Sequence, residues 1–133
     1  MDSKSLIKDI KAGKFSPVYV LHGDEAYYID EISDAIQEHA LEEHERDFNQ
    51  SIVYGKEADL LTLISDLRSY PLMSERRLLI LKEAQDFKLL EELNTYIENP
   101  LSSTVLVICH KYKAIDARKK LLKSAAKVGV IFK

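Results

Sequence analysis

The apolar positions of this chain follow two rhythms: short unbroken runs of strand length, and longer stretches with apolar residues three or four apart. The first reads as strand and the second as helix. Residues 3–13 open with a helical stripe of Leu6, Ile7 and Ile10, which Gly13 is placed to stop. Pro17 introduces VYVL at 18–21, a strand broken by Gly23. From about Tyr27 to His44, Ile29, Ile32 and Ile36 form one face of a helix whose other side is acidic. Asp24 and Glu25 lead into it, where the positive end of a helix dipole favours acids. FNQSIVYG at 48–55 predicts a second strand, with Phe48, Ile52 and Tyr54 approximately on one face and Gly55 at its end. Asp59 reads as the N-cap of a helix striped by Leu60, Ile64 and Leu67. A non-helical interruption at 70–76 precedes a third strand, RLLIL at 77–81. The spacing predicts a helix over 87–98 that buries Leu90, Leu93 and Ile97 and is stopped by Asn99-Pro100. TVLVIC at 104–109 is a fourth strand, apolar on both faces like the third, as expected where both faces are covered. Asp116 reads as the cap of a basic helix carrying Leu121 and Leu122, and Gly129 precedes a last strand, VIF.

Strands separated by helices predict an α/β fold of three layers: a mainly parallel five-stranded sheet, helices on both faces, right-handed crossovers. The length, 133 residues, is about one domain. No repeat or linker divides it. A chain with 46% hydrophobic residues, four Gly and three Pro is neither disordered nor low-complexity. No apolar run approaches a membrane span, and the N-terminus has no signal-peptide core. A single cysteine excludes an internal disulfide and a Cys-rich metal site, and fits a reducing, cytoplasmic setting. The chain stops at or just after its last strand, so it is expected to be a piece of a longer protein.

The net charge of −3 conceals a segregation. Residues 24–47 carry ten acids and one base, Arg46, whereas 110–133 carry eight Lys or Arg and one acid, Asp116. Solvated helix faces of opposite sign are one reading. A basic end that meets an acidic partner or nucleic acid is the other. Base stacking is not favoured, because only Tyr112 and Phe132 are aromatic in that segment.

In open α/β sheets chemistry gathers beyond the carboxyl ends of the strands, first of all after the first one. A phosphate loop there would read G-x-x-x-x-G-K-[ST]. Gly23 fills the first position, but Tyr28, Ile29 and Asp30 stand where the second glycine, the lysine and the hydroxyl belong. Asp24, Glu25 and Asp30 would repel a triphosphate. No cofactor is therefore expected. Nor is a metal: His22, His39, His44 and His110 are scattered and read as surface histidines. Cys109 reads as a small core residue, and Ser5, Ser16 and Ser51 lack a nucleophile-elbow context. Asp24 and Glu25 resemble part of a receiver's acidic pocket, but the third strand ends in Leu81-Lys82-Glu83, without the required Asp.

The most informative segment is Tyr70-Pro71-Leu72-Met73-Ser74-Glu75-Arg76-Arg77. Pro71 cannot continue the preceding helix and leaves Leu72 and Met73 side by side in a surface connection. Either the pair tucks back onto the core as a lid, or it is a hydrophobic plug for a partner's groove. Arg76 and Arg77 either flank such a plug with charge or, for Arg77, belong to the strand.

Two motifs carry a family resemblance that covers essentially the whole chain. PVYVLHGDE (Pro17 to Glu25) is similar to the P-V-Y-x-L-x-G-x-E strand and loop, and PLMSERRL (Pro71 to Leu78) to the P-L-F-S-E-R-R-L turn and strand, of the N-terminal domain of the bacterial DNA polymerase III delta subunit family. Met73 replaces the aromatic residue often found there. The resemblance implies a P-loop-NTPase/AAA+-like fold with a degenerate nucleotide loop (Gly23, Tyr28, Ile29, Asp30). It implies one N-terminal domain over 1–133, with the lid and collar domains absent. The expected function is non-catalytic: binding the sliding clamp through Leu72 and Met73, with Pro71 and Arg76 beside them, and helping to open it for loading onto primed DNA. The implied partners are the clamp, other clamp-loader subunits, and primed DNA only within the full assembly, in the cytoplasm and with no membrane. A receiver-like or nucleotide-binding α/β regulatory domain is the alternative, and a nucleic-acid module using the basic C-terminal helix a third reading.

Overall fold

The computed structural model describes Asp2–Lys133. In chain order the elements are α1 (Ser3–Lys11), β1 (Val18–Gly23), α2 (Ala26–His39), α3 (Arg46–Asn49), β2 (Gln50–Tyr54), α4 (Leu60–Leu67), β3 (Arg77–Lys82), α5 (Asn94–Ile97), β4 (Thr104–Lys111), α6 (Lys120–Val128) and β5 (Val130–Phe132). The five strands form one sheet in the order β2-β3-β4-β1-β5, and every ladder between them is parallel.

The period of two along each strand sorts side chains into two cores. Val18 and Val20 of β1, Leu79 and Leu81 of β3, and Leu106 and Ile108 of β4 face α4, α5 and α6. Tyr19 and Leu21, Leu78 and Ile80, and Val105 and Val107 face α1 and α2. Ile29, Ile32 and Ile36 supply the α2 stripe, all buried. This is the three-layer α/β architecture that the alternation of rhythms predicts, with β4 and β1 at its centre.

Several boundaries differ from the sequence expectation, each for a visible reason. The second helix stops at His39, not His44: Ala40 and Leu41 turn inward to join the core, and a 3-10 turn at Glu43–Glu45 leads into α3. Phe48 therefore lies in α3, exposed, and β2 begins only at Gln50. The helix predicted over 87–98 is a 3-10 segment, Leu90–Leu93, running into the short α5. Phe87, Leu90, Leu93 and Tyr96 are all buried at a strict spacing of three, the repeat of a 3-10 rather than an α-helix. In α4 the fully buried positions are Leu63 and Leu67, with Leu60 and Ile64 packed at the margin. Asp59 caps that helix as expected, accepting from the Thr62 N–H. Asp116 does not cap α6. It accepts from the Arg118 N–H in the preceding turn, and Lys119 holds the N-cap position.

Candidate partner-binding site

Parallel strands give the sheet two chemically different ends, and the two candidate sites lie at opposite ones. The first is the 70–76 connection at the amino end of β3. Its tip exposes Leu72 at 54% and Met73 at 94% of their surface, so the pair stands in solvent instead of covering the core. Tyr70, just before Pro71, is exposed as well, as is Phe48 in α3.

What fixes this loop is Asn49, a residue that sequence reading did not single out. Its side chain is 1% exposed. The Leu72 N–H donates to Asn49 Oδ1 at 2.7 Å, and Asn49 Nδ2 donates back to the Leu72 carbonyl at 2.9 Å. The same Nδ2 donates to the Glu45 carbonyl at 2.9 Å. One buried amide thus imitates a strand partner for Leu72 and ties it to the end of α3. The next residue, Met73, has φ 54, a left-handed conformation that a long side chain rarely adopts. That turn directs the backbone away from the latch and puts Met73 at the apex.

The far side of the loop is held too. Arg76 is half-buried; its Nη1 donates to the Ala40 carbonyl at 2.9 Å and its guanidinium lies 4.5 Å from the Phe15 ring centroid. Its contacts are therefore within the domain, apart from a looser one to Glu75 at 3.8 Å. Arg77 is a strand residue, ion-paired with Asp66 and donating to the Phe48 carbonyl at 2.9 Å. Glu45 accepts from the Glu42 N–H at 2.8 Å, which, with help from Ser74 and Arg76, holds its carboxyl below the usual range. Loop, α3 and the end of α2 form one cross-linked unit.

The second site is the carboxyl end of the sheet, where a cavity of about 600 Å³ is lined by His22, Gly23, Asp24, Glu25 and Tyr28, among others. Gly23 takes φ +124, which ends β1 without a side-chain clash. Asp30 does not face a phosphate position freely: Lys111 Nζ is 2.7 Å from it and 3.4 Å from Glu83. Burial opposes the Lys111 charge, but these two carboxylates outweigh burial and hold the ammonium above its ordinary value. Lys111 is thus committed to acids of the chain itself.

The histidines correct the sequence expectation. His39 and His44 are exposed, but His22 and His110 are buried at 3% and 7%. They pair in register on β1 and β4. The Ile115 N–H donates to His22 Nδ1 at 2.9 Å, and His110 Nδ1 lies 3.0 Å from the Lys113 carbonyl. Burial lowers the basicity of both, and for His22 the neighbouring His110 adds to it. Cys109, as expected, is a core residue, and burial pushes its thiol up to about 11. Among the described residues no group of three or more His, Cys, Asp or Glu side chains is placed to hold a metal ion. Among those residues, too, no helix is long and apolar enough to cross a membrane.

Comparison with known proteins follows the same lines. Residues 19–133 match the family model described as DNA polymerase III, delta subunit. The DNA polymerase III subunit delta of Bacillus subtilis (strain 168) is 35% identical over 130 residues, covering 90% of this chain and 38% of that protein. The solved structure of the Bacillus subtilis DNA clamp loader delta protein superposes with a TM-score of 0.85 at 30% identity, over 98% of this chain and 42% of that one. A DNA polymerase III gamma subunit-related protein of Thermotoga maritima, 14% identical, covers all of this chain and 46% of that one with a TM-score of 0.55, a likeness of fold alone. The chain spans about two-fifths of the length of the delta relatives it matches.

Proposed function

This chain belongs to the DNA polymerase III delta subunit family, and from that premise we propose that it binds a ring-shaped sliding clamp through Leu72 and Met73 and helps to open the ring for loading onto primed DNA during replication. The observation that carries the reading is the exposed pair on a loop whose backbone is tied down at Leu72 by Asn49. Burying a Leu and a Met side chain in a partner's pocket is worth roughly 3–6 kcal/mol. A loop already fixed in its presenting conformation loses little entropy on docking, so more of that gain survives as affinity. Met, unbranched and polarisable, adapts to an irregular pocket where the family often has an aromatic ring.

In this reading Leu72 and Met73 are the anchors, Pro71 ends the helical path, and Arg76 positions the loop from behind through Ala40 and Phe15. The helix α4 is scaffold. Opening follows from differential affinity. A domain that binds a strained or open ring more tightly than a closed one shifts the ring's population by that difference and by no more. No bond is made or broken, so the chain is read as non-catalytic and as a subunit that acts beside other clamp-loader subunits in the cytoplasm. Three features support a site without ATP: the missing glycine and lysine of a phosphate loop, the acids around Gly23, and the commitment of Lys111 to Asp30 and Glu83.

The test is calorimetric titration of the chain with the sliding clamp from the same organism. Leu72→Ala with Met73→Ala is expected to weaken binding by about a hundredfold or more, the equivalent of about 3 kcal/mol. Affinity within about twofold of the parent would sink the plug assignment. A parallel titration with ATP is expected to give no heat of binding; micromolar binding would restore the nucleotide-binding alternative.

A further inference from the structure

The chain holds three sulfur atoms, two in methionines (Met1 and Met73) and one in Cys109. Met1 lies outside the described residues. The other two stand in opposite surroundings. Cys109 is 2% exposed, in the core shared with α2, and burial pushes its thiol up. An oxidant attacks the thiolate of a cysteine, so this sulfur is shielded both by access and by its proton. Met73 is the most exposed of the large apolar side chains described. A thioether has no proton to lose before it reacts, so its oxidation is governed by access alone.

The fold does not cover the Met73 side chain, and the backbone keeps it uncovered. Asn49 holds Leu72 by both its N–H and its carbonyl, and Met73 leaves that latch in the left-handed conformation that makes it the apex. Leu72 beside it is a hydrocarbon, inert to mild oxidants, and half-covered. The tip of the loop therefore pairs an inert anchor with an oxidisable one. The P-L-F-S-E-R-R-L motif that PLMSERRL resembles has an aromatic ring at this place, which takes up no oxygen under the same conditions. The sensitivity belongs to this chain and not to the motif.

We infer that Met73 is a redox modification site that switches the 70–76 loop: a two-electron oxidant of the hydroperoxide class converts it to the sulfoxide and releases the clamp, and reduction restores binding. The inference rests on the clamp-binding reading of the same loop. In the forward step a sulfur lone pair attacks one oxygen of hydrogen peroxide. The S–O bond forms as the O–O bond breaks, and the departing hydroxide takes the proton of the transferred oxygen and leaves as water. The sulfur is oxidised by two electrons and the peroxide reduced by two. In the reverse step a dithiol is oxidised to a disulfide and the oxygen leaves as water, the reaction of methionine sulfoxide reductases. The sulfoxide keeps the length of the side chain but makes it polar and chiral. On the free loop its oxygen is hydrated, so the domain keeps its stability. In an apolar pocket the oxygen loses that water without gaining a donor, which is unfavourable. Oxidation thus acts on the bound state and spares the free one, the differential that a switch requires.

The test treats the chain with hydrogen peroxide, removes the oxidant, maps the products by peptide mass, and titrates treated and untreated samples with the sliding clamp of the same organism. Treatment is expected to add one oxygen to the Met73 peptide and to leave the Cys109 thiol, the circular dichroism spectrum and the thermal midpoint unchanged. Clamp affinity is expected to fall by at least about tenfold. Binding-competent chain should disappear in step with the unoxidised Met73 peptide and not with the Met1 peptide. Methionine sulfoxide reductases for both epimers, supplied with a dithiol, are expected to restore the untreated affinity. Met73→Leu, compared with its own untreated sample, is expected to show no effect of peroxide. Complete Met73 sulfoxide with clamp affinity within about twofold of the untreated chain overturns the switch and leaves the clamp reading standing. So does a loss of affinity that follows Met1, or a Met73 that stays unoxidised while Cys109 reacts. An untreated chain that does not bind the clamp overturns the clamp reading itself, and the switch with it.

Discussion

The Asn49 side chain and the Leu72 backbone are joined in both directions, N–H to Oδ1 at 2.7 Å and Nδ2 to carbonyl at 2.9 Å, across 23 residues of sequence. This is how the domain displays two apolar side chains without letting them collapse onto the core. A free loop carrying Leu and Met would bury them against the nearest apolar surface. Here the backbone leaves the latch through a left-handed Met73 and cannot do so. Asn49→Ala removes three hydrogen bonds and leaves the Leu72 N–H without its partner. It is expected to destabilise the domain by about 1–3 kcal/mol and to raise the exchange rate of the Leu72 amide more than those of β4. Urea unfolding and amide hydrogen exchange measure the two. An Asn49→Ala domain with parent stability and a protected Leu72 amide would show that the loop is held by something else.

The anchors themselves contribute little to the fold. Met73, 94% exposed, loses almost no apolar contact on truncation, and Leu72, 54% exposed, loses only the contacts of its covered half. The double alanine variant is expected to unfold within about 1 kcal/mol of the parent. A destabilisation of about 2 kcal/mol would mean that the pair packs on the domain in solution, as a lid and not a plug. The same measurement shows whether a loss of clamp binding can be read as loss of contact.

The parts of the fold legible in the sequence are those where one local rule suffices. The strands β3 and β4 are apolar from Leu78 to Leu81 and from Val105 to Cys109 because both faces are covered, and Pro71 with the adjacent Leu72 and Met73 marks a connection with apolar side chains to spare. What escaped is non-local. Nothing about Asn49 in FNQS announces a partner 23 residues away, since the contact is to backbone and leaves no trace in the identity of Leu72. The burial of His22 and His110 comes from the register that sets β1 beside β4. The 3-10 segment was legible in principle, in the strict spacing of Phe87, Leu90, Leu93 and Tyr96, which an α-helical reading passes over.

Burial of those two histidines makes a pH prediction. Both have native basicity below the ordinary value of 6.5. The unfolded chain takes up protons near 6.5 while the folded chain resists, so below that pH the unfolded state binds more protons and stability falls with falling pH. The effect is absent above about pH 7.5 and separates from carboxylate protonation, which acts below about pH 4.5. His22→Asn/His110→Asn keeps an acceptor for the Ile115 N–H and a donor for the Lys113 carbonyl but cannot titrate. Between about pH 7.5 and 5.5 the parent's urea midpoint is expected to fall more than the variant's. Parallel pH curves would mean that both histidines protonate in the native state as they do in the unfolded one.

Cys109 offers a clock for opening of the sheet. It lies on β4 facing the α2 layer, two residues after Val107 and in the same core, with its thiol pushed up to about 11 by burial. The nucleophile in thiol–disulfide exchange is the thiolate, so the native thiol is doubly protected, by access and by protonation. Reaction with an aromatic disulfide reagent at neutral pH is expected to be slower than that of a free thiol by at least about a thousandfold, and to become fast in denaturing urea. In native buffer the rate should follow the open fraction, since exchange of buried groups proceeds through opening. Asn49→Ala loosens the 70–76 loop at the amino end of the sheet, whereas a cavity variant such as Ile32→Ala loosens the α2 layer over Cys109 itself. The second is expected to accelerate labelling more than the first at matched global stability. Equal acceleration would mean that Cys109 is reached only through complete unfolding.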